Sequence, residues 1–325
     1  MESYEVVIVG AGPAGLNCAE RLVGKDVLVL ESGKKIGHKV CAGGLTPESL
    51  GYLKMPDRII ERKFDQTIVH STASKPISFG YGVYTIDRKR LGKLMLKRAR
   101  DSGAEIRAGS KVTGIGNNHV TVNDSEKIGF KLLVGADGPC SIVRRHLGLK
   151  SKEVGMAFQY IVPGRYNRLE IFLDSKLFGT WYAWIFPHKG HASIGCGCDP
   201  KTIPPRSLKI NFQKWAEEQG ISLRGAKYEA HHINYDYRGH AFGRFYLAGD
   251  AGGFASGLTG EGIYQALVSG EEIARLISGK ASSKAFKELL RMKKVESRLL
   301  RKASLLRKLG MHKTIERAVL DFFSE

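Results

Sequence analysis

The stretch Val6-Val-Ile-Val-Gly-Ala-Gly-Pro-Ala-Gly15 constrains the fold of this 325-residue chain more than any other. Val6 to Val9 are apolar and β-branched, the pattern of a strand buried on both faces. Gly10 suits the tight turn that follows. Gly12 lets backbone approach a pyrophosphate, and Gly15 lets the next helix pack closely on the strand. That helix, with Ala14 in its first turn, is predicted over about Pro13 to Val23, its first amides facing phosphate. A second apolar strand, Val27-Leu-Val-Leu30, ends on Glu31, a carboxylate placed to grip a ribose hydroxyl. A glycine turn in an ordinary α/β protein is the competing reading, and the acid at the strand end argues against it. The pattern predicts a dinucleotide-binding unit.

Two distant segments repeat the theme of a strand running into small residues. Leu132-Leu-Val-Gly-Ala-Asp137-Gly138 is one, and Phe245-Tyr-Leu-Ala-Gly249-Asp250 is the other. The second leads into Gly257-Leu-Thr-Gly260-Glu-Gly262-Ile263 and a helix-like run to about Ile277. A carboxylate at a strand end can accept hydrogen bonds from a ribityl chain, and Gly260 and Gly262 would let backbone amides approach a flavin edge. With all three segments in this order, the chain resembles the FAD-dependent oxidoreductases of the aromatic hydroxylase and geranylgeranyl reductase superfamily over most of residues 1–280. Lys39-Val-Cys41-Ala42-Gly43-Gly44-Leu45 resembles the cysteine-glycine loop of the geranylgeranyl reductase branch. Tyr182-Ala-Trp184-Ile-Phe186-Pro187 resembles that branch's Tyr-x-Trp-x-Phe-Pro motif. The family pattern has proline three residues before the tyrosine, where this chain has Gly179. The resemblance implies that Cys41, Ala42 and Gly44 lie beside FAD, that Arg88 contacts it, and that Val112 meets the adenine. It also implies that Tyr182, Trp184, Phe186 and Pro187 line a lipid cavity. Alternating aromatics on one strand face are also ordinary core, and both readings stand at this point.

The expected fold is a Rossmann-like, FAD-binding α/β domain with a discontinuous β-rich substrate domain and C-terminal helices. Residues 1–60, 85–150 and 236–280 are assigned to the cofactor domain and 61–84 with 151–235 to the substrate domain. Residues 281–325 form a basic helical segment. Five cysteines in a chain this long suggest a reducing compartment rather than a disulfide framework. Cys196-Gly-Cys198 reads as a small-residue strand, and neither it nor His231-His232 completes a metal set, so no metal is expected. The first residues run straight into a strand, and no apolar run reaches the length of a membrane span. The protein is therefore expected in the cytoplasm, with peripheral membrane contact as an option. The chain is short at its C-terminal end for the family it resembles.

Lys plus Arg number 51 against 32 Asp plus Glu, a net charge of +19. Residues 280–325 hold thirteen basic and five acidic residues, or +8, among apolar Leu289, Leu290, Leu299, Leu300, Leu305, Leu306, Leu309 and Val319. The segment reads as one or two amphipathic helices. Three roles compete: a solvated cap, attraction to anionic lipid at about 1 kcal/mol per basic residue, and nucleic acid. No nucleic-acid module is visible, which ranks that role last.

A single dinucleotide unit and no paired redox cysteines mean that electrons come from a visiting NAD(P)H or from a donor such as ferredoxin. The resemblance implies hydride delivery to carbon–carbon double bonds of an isoprenoid lipid. An isolated alkene is a poor hydride acceptor, so a positioned acid must supply the second hydrogen as a proton. Tyr182, Cys41 and a bound water are the candidates. The alternative activity is an FAD-dependent monooxygenase acting on an aromatic or lipid, and a binding protein without turnover is the remaining class.

Overall fold

The computed structural model describes residues 1–37, 39–54, 56–79 and 83–324. Five strands run parallel: Phe245–Leu247, Glu126–Gly135, Ser3–Val9, Val27–Glu31 and Glu105–Ala108, in that order across the sheet. The short strand Ala241–Phe242 edges one side. The antiparallel pair Val112–Ile115 and His119–Val122 lies against the first half of Glu126–Gly135. Val6, Val7, Ile8, Leu28, Val29, Leu133 and Val134 are buried, which accounts for the unbroken apolar runs of these strands.

Register brings the three motif segments to one edge. Val9 sits opposite Leu30 and Gly135, and Gly135 opposite Leu247. The amides of Gly10, Ala136 and Ala248 then donate to the carbonyls of Leu30, Val9 and Gly135 at 2.8, 2.8 and 2.9 Å. All three loops therefore leave the carboxyl ends of neighbouring parallel strands, where open α/β sheets bind their ligands.

The first helix spans Pro13–Glu20, ending short of Val23. The chain must turn through Gly24, at φ +79°, to enter Val27–Glu31, and Val23 is left 73% exposed. Helix Ile263–Ile277 packs on this first helix so closely that a Cβ at Gly270 would lie 2.3 Å from the Ala14 carbonyl oxygen. Helix Arg88–Asp101 begins at Asp87, whose carboxylate accepts from the amides of Lys89 and Arg90.

A second sheet of seven strands has the order Lys227–Asn234, Val154–Pro163, His191–Cys198, Ala183–Pro187, Leu169–Leu173, Thr67–Ser71 and Ser74–Phe79. It is antiparallel except where Leu169–Leu173 runs parallel to Thr67–Ser71. Helix Pro205–Glu218 covers one face, with Leu208, Phe212 and Trp215 packed on Phe158, Ile194, Cys196 and Cys198. A third, small sheet joins Gly44–Leu45, Val83–Ile86 and Ile60–Phe64. The strands expected within 61–84 thus divide between two sheets, because Gly44–Leu45 pairs with Val83–Ile86. Residues 80–82 lie outside the described residues.

Two helices, Lys284–Lys308 and His312–Ser324, end the chain. Val319 and Leu320 pack on Val69, Ile171 and Leu173 of the seven-stranded sheet. Among the described residues, no helix is long and apolar enough to cross a membrane.

Candidate cofactor and substrate site

Two adjoining cavities open at the carboxyl edge of the parallel strands. One, of about 870 Å³, is lined by Gly10, Gly12, Glu31, Arg88, Val112 and Asp137. The other, of about 610 Å³, lies against the seven-stranded sheet, with Leu169, Ile171, Tyr182, Trp184 and Phe186 on its wall. Cys41, Ala42, Gly44, Asp250, Gly260 and Gly262 face the second cavity, as do Ala14 and Ile263. Gly12, Arg88 and His231 border both. Pro187 is not among the lining residues. It ends its strand, and its carbonyl accepts from Thr85 Oγ1 at 2.7 Å.

The first cavity has the chemistry of a dinucleotide cradle. The helix Pro13–Glu20 has no side-chain cap at Gly12, so its first amides are open to an anion. A Cβ at Gly12 would meet no protein atom within 4 Å, whereas one at Gly15 would lie 2.0 Å from the Gly10 carbonyl oxygen. Gly12 faces open space, and Gly15 is needed for packing. Glu31 uses its carboxylate to hold the glycine turn itself, accepting from Ala11 N–H at 2.8 Å and Gly33 N–H at 2.7 Å. Asp137 accepts from Ile142 N–H at 2.6 Å through Oδ2, while its buried Oδ1 has no partner among the described residues. Burial holds the Asp137 carboxyl above the usual carboxylate range. The Nε of Arg88 is likewise buried and has no partner among the described residues. Buried polar atoms without partners cost about 1–3 kcal/mol each, and here two of them face a cavity sized for a ligand. These residues fit FAD.

At the second cavity, Asp250 pairs with Lys39 at 3.3 Å. His231 borders both cavities, and its buried Nε2 has no partner among the described residues. Burial, reinforced by the Lys39 charge, lowers its pKa to about 4, so the imidazole is neutral at pH 7. The Tyr182 hydroxyl donates to the Thr259 carbonyl, tying the aromatic strand to the loop before Gly260.

Side chains from the seven-stranded sheet grip the Cys41 loop. Gln159 donates to the Cys41 carbonyl at 3.2 Å and to Glu229 at 2.9 Å, and accepts from Ser193 Oγ at 2.8 Å. Ser193 Oγ in turn accepts from Trp184 Nε1 at 3.0 Å. One residue further along the loop, His188 bonds the Ala42 carbonyl through Nε2 at 2.9 Å and Glu61 through Nδ1 at 2.5 Å. A Cβ at Gly44 would lie 2.6 Å from the Phe186 ring. The loop and the aromatic strand are therefore one packed unit. Gln159, Ser193, His188 and Glu61 carry no motif in the sequence. The only early signal was an amide within an apolar strand at Gln159.

The chain matches the family model described as an FAD binding domain over residues 3–163. It is 29% identical to an uncharacterized protein of Methanosarcina barkeri, covering 95% of this chain and 84% of that one. It is 26% identical to digeranylgeranylglycerophospholipid reductase 2 of Methanopyrus kandleri, covering 88% and 78%. The chain is an FAD-dependent oxidoreductase, similar over most of its length to geranylgeranyl and digeranylgeranylglycerophospholipid reductases. Its fold also matches that of a geranylgeranyl bacteriochlorophyll reductase-like protein of Thermoplasma acidophilum, with TM-score 0.80 at 24% identity over 100% of this chain and 92% of that one. Gly179 ends the helical turn Ser175–Phe178 at φ +70°. Proline is fixed near φ −65° and could not adopt that conformation. The turn just before the aromatic strand is therefore one that a proline at position 179 could not make.

Proposed function

We propose that the chain adds hydrogen across carbon–carbon double bonds of an isoprenoid lipid, with the parallel sheet holding FAD and the seven-stranded sheet holding the substrate. The observation that supports this reading best is the cavity of about 610 Å³. Its wall of Leu169, Ile171, Trp184, Phe186 and Val83 is apolar, as a prenyl chain requires. Its floor is the Cys41 loop and the glycines at 260 and 262, on the side of the FAD-binding strands. When bound, reduced FAD would supply the hydride, and the electrons would reach it from NAD(P)H or a ferredoxin-type donor. The protein's own part is to exclude water, align the chain between Trp184 and the Cys41 loop, and hold a proton.

The basic C-terminal helices fit an anionic lipid surface on this reading. Leu305, Leu309 and Met311 are 60%, 64% and 43% exposed at the turn between the two helices, among exposed Lys302, Lys308 and Lys313. The test of function is mass spectrometry of prenyl lipids incubated anaerobically with dithionite-reduced enzyme. A gain of two hydrogens per double bond is the expected result. Unchanged lipid under those conditions, with hydroxylated product or hydrogen peroxide formed only in air, would instead make the protein a monooxygenase.

A further inference from the structure

Glu261 stands between the two glycines of the loop Thr259-Gly260-Glu261-Gly262 and is among the residues that border the apolar cavity. Among the described residues its carboxyl has two side-chain partners, both distant. Ser49 Oγ lies 3.3 Å from Oε1, and Gln265 Nε2 lies 3.4 Å from Oε2. No lysine, arginine or histidine among the described residues lies within ion-pair distance of it. The charged groups that face it add to the difficulty of ionising. Glu48 on helix Pro47–Leu53 and Glu296 on helix Lys284–Lys308 are both acidic, and Tyr264 lies on the helix that follows. Lys293, the nearest buried cation in that helix, is spent on Glu296 at 3.7 Å and on the carbonyls of Tyr235 and Ala255. Lys39 is spent on Asp250.

A carboxylate removed from water without a cation or short hydrogen bonds takes up a proton instead. Burial indeed raises the Glu261 pKa above the usual carboxylate range. The Gln265 Oε1 atom, buried without a partner, is what a neighbouring carboxyl O–H would satisfy once the amide is turned round. The acids first considered are less free. The Tyr182 hydroxyl donates to the Thr259 carbonyl, and Cys41 Sγ accepts from the Gly43 amide at 3.3 Å.

We propose that Glu261 is the proton donor for alkene reduction. The inference rests on the reductase reading above. The Glu261 O–H bond breaks and its proton forms a C–H bond at one alkene carbon. The other carbon receives a hydride, with its electron pair, from the reduced cofactor, which is thereby oxidised by two electrons. Glu261 is left as a carboxylate. It regains a proton from solvent past Ser49 and the partly exposed Thr46, whose hydroxyls are 3.3 Å apart.

The test compares wild type, Glu261→Gln and Glu261→Asp, each loaded with FAD. Glu261→Gln should keep FAD affinity within about twofold and be reduced normally by dithionite, yet lose about a hundredfold in anaerobic prenyl reduction, the usual worth of a general acid. Glu261→Asp should recover part of that rate. The acid form exists below the raised pKa, so wild-type rate should fall as pH rises through it, and Glu261→Gln should lose that dependence. A readout independent of turnover is the infrared difference spectrum of wild type minus Glu261→Gln, in which the band of one protonated carboxyl is expected at pH 7. An ionised Glu261 at pH 7, or prenyl reduction by Glu261→Gln at the wild-type rate, overturns the proposal and leaves the reductase reading intact. A wild type that reduces no prenyl alkene overturns both.

Discussion

Gly10 and Gly12 are two positions apart and make opposite demands. Gly10 has φ +102°, and a Cβ there would lie 2.4 Å from the Ala136 carbonyl oxygen. Gly10→Ala is expected to destabilise the folded chain itself, by more than about 1 kcal/mol. At Gly12 an added Cβ meets only open space, so Gly12→Ala should leave the melting temperature of the apoprotein unchanged. It should instead weaken FAD binding at least about tenfold, or ~1.4 kcal/mol, because the methyl fills the cradle. Calorimetric titration of the two apoproteins separates the effects, and an unchanged FAD affinity in Gly12→Ala would move the pyrophosphate away from this turn. These glycines were legible in the sequence because their chemistry is local to a ten-residue run. Glu31 was legible only in part. A strand-end acid suggests a ribose contact, but its bonds to the amides of Ala11 and Gly33 appear only once the strand and turn are folded together. Gln159 and His188 were not legible at all, because their meaning is the carbonyls of Cys41 and Ala42, which reach them only through the tertiary fold.

Among the elements, the strand Ala183–Pro187 does most to join the two halves of the site. Tyr182, just before it, is tied to Thr259, Trp184 reaches the Cys41 carbonyl through Ser193 and Gln159, and Phe186 packs on Gly44. Alternation on a strand puts all three on one face. The periodicity was readable in advance, but which sheet the strand would enter was not. Trp184 is 8% exposed, so Trp184→Ala will cost up to about 3–5 kcal/mol of stability. If the enzyme still folds, Trp184→Ala should bind FAD and accept electrons from dithionite as wild type does, while prenyl reduction falls tenfold or more. Reduction at the wild-type rate, or loss of FAD, would make the aromatics ordinary core. Helix Pro205–Glu218 lies in the segment described from the sequence only as part of the β-rich substrate domain. Its buried positions Leu208, Phe212 and Trp215 do follow helical spacing.

On the scale of the whole molecule, the C-terminal helices have two faces with separate tasks. The inner face anchors the loop that precedes Gly260: Glu296 accepts from Ser256 Oγ at 2.5 Å, and Lys293 donates to the Ala255 carbonyl at 2.6 Å. The turn between the helices shows the exposed Leu305, Leu309 and Met311. If that turn meets lipid, sedimentation with anionic vesicles should fall as salt rises, since surface charges are screened within about 10 Å at 0.1 M. Leu305→Ser with Leu309→Ser and Met311→Ser should weaken it further without changing the melting temperature. Binding that ignores both salt and these substitutions would leave the segment a structural cap.

The most direct measurement of the central claim is a single turnover without oxygen. FAD-loaded enzyme is reduced with one equivalent of dithionite, a geranylgeranyl lipid is added in a sealed cell, and flavin absorbance is followed. The expected result is return of the oxidised flavin spectrum in step with loss of one double bond per flavin. A flavin that stays reduced with the lipid present, and reoxidises only when air is admitted, would contradict it.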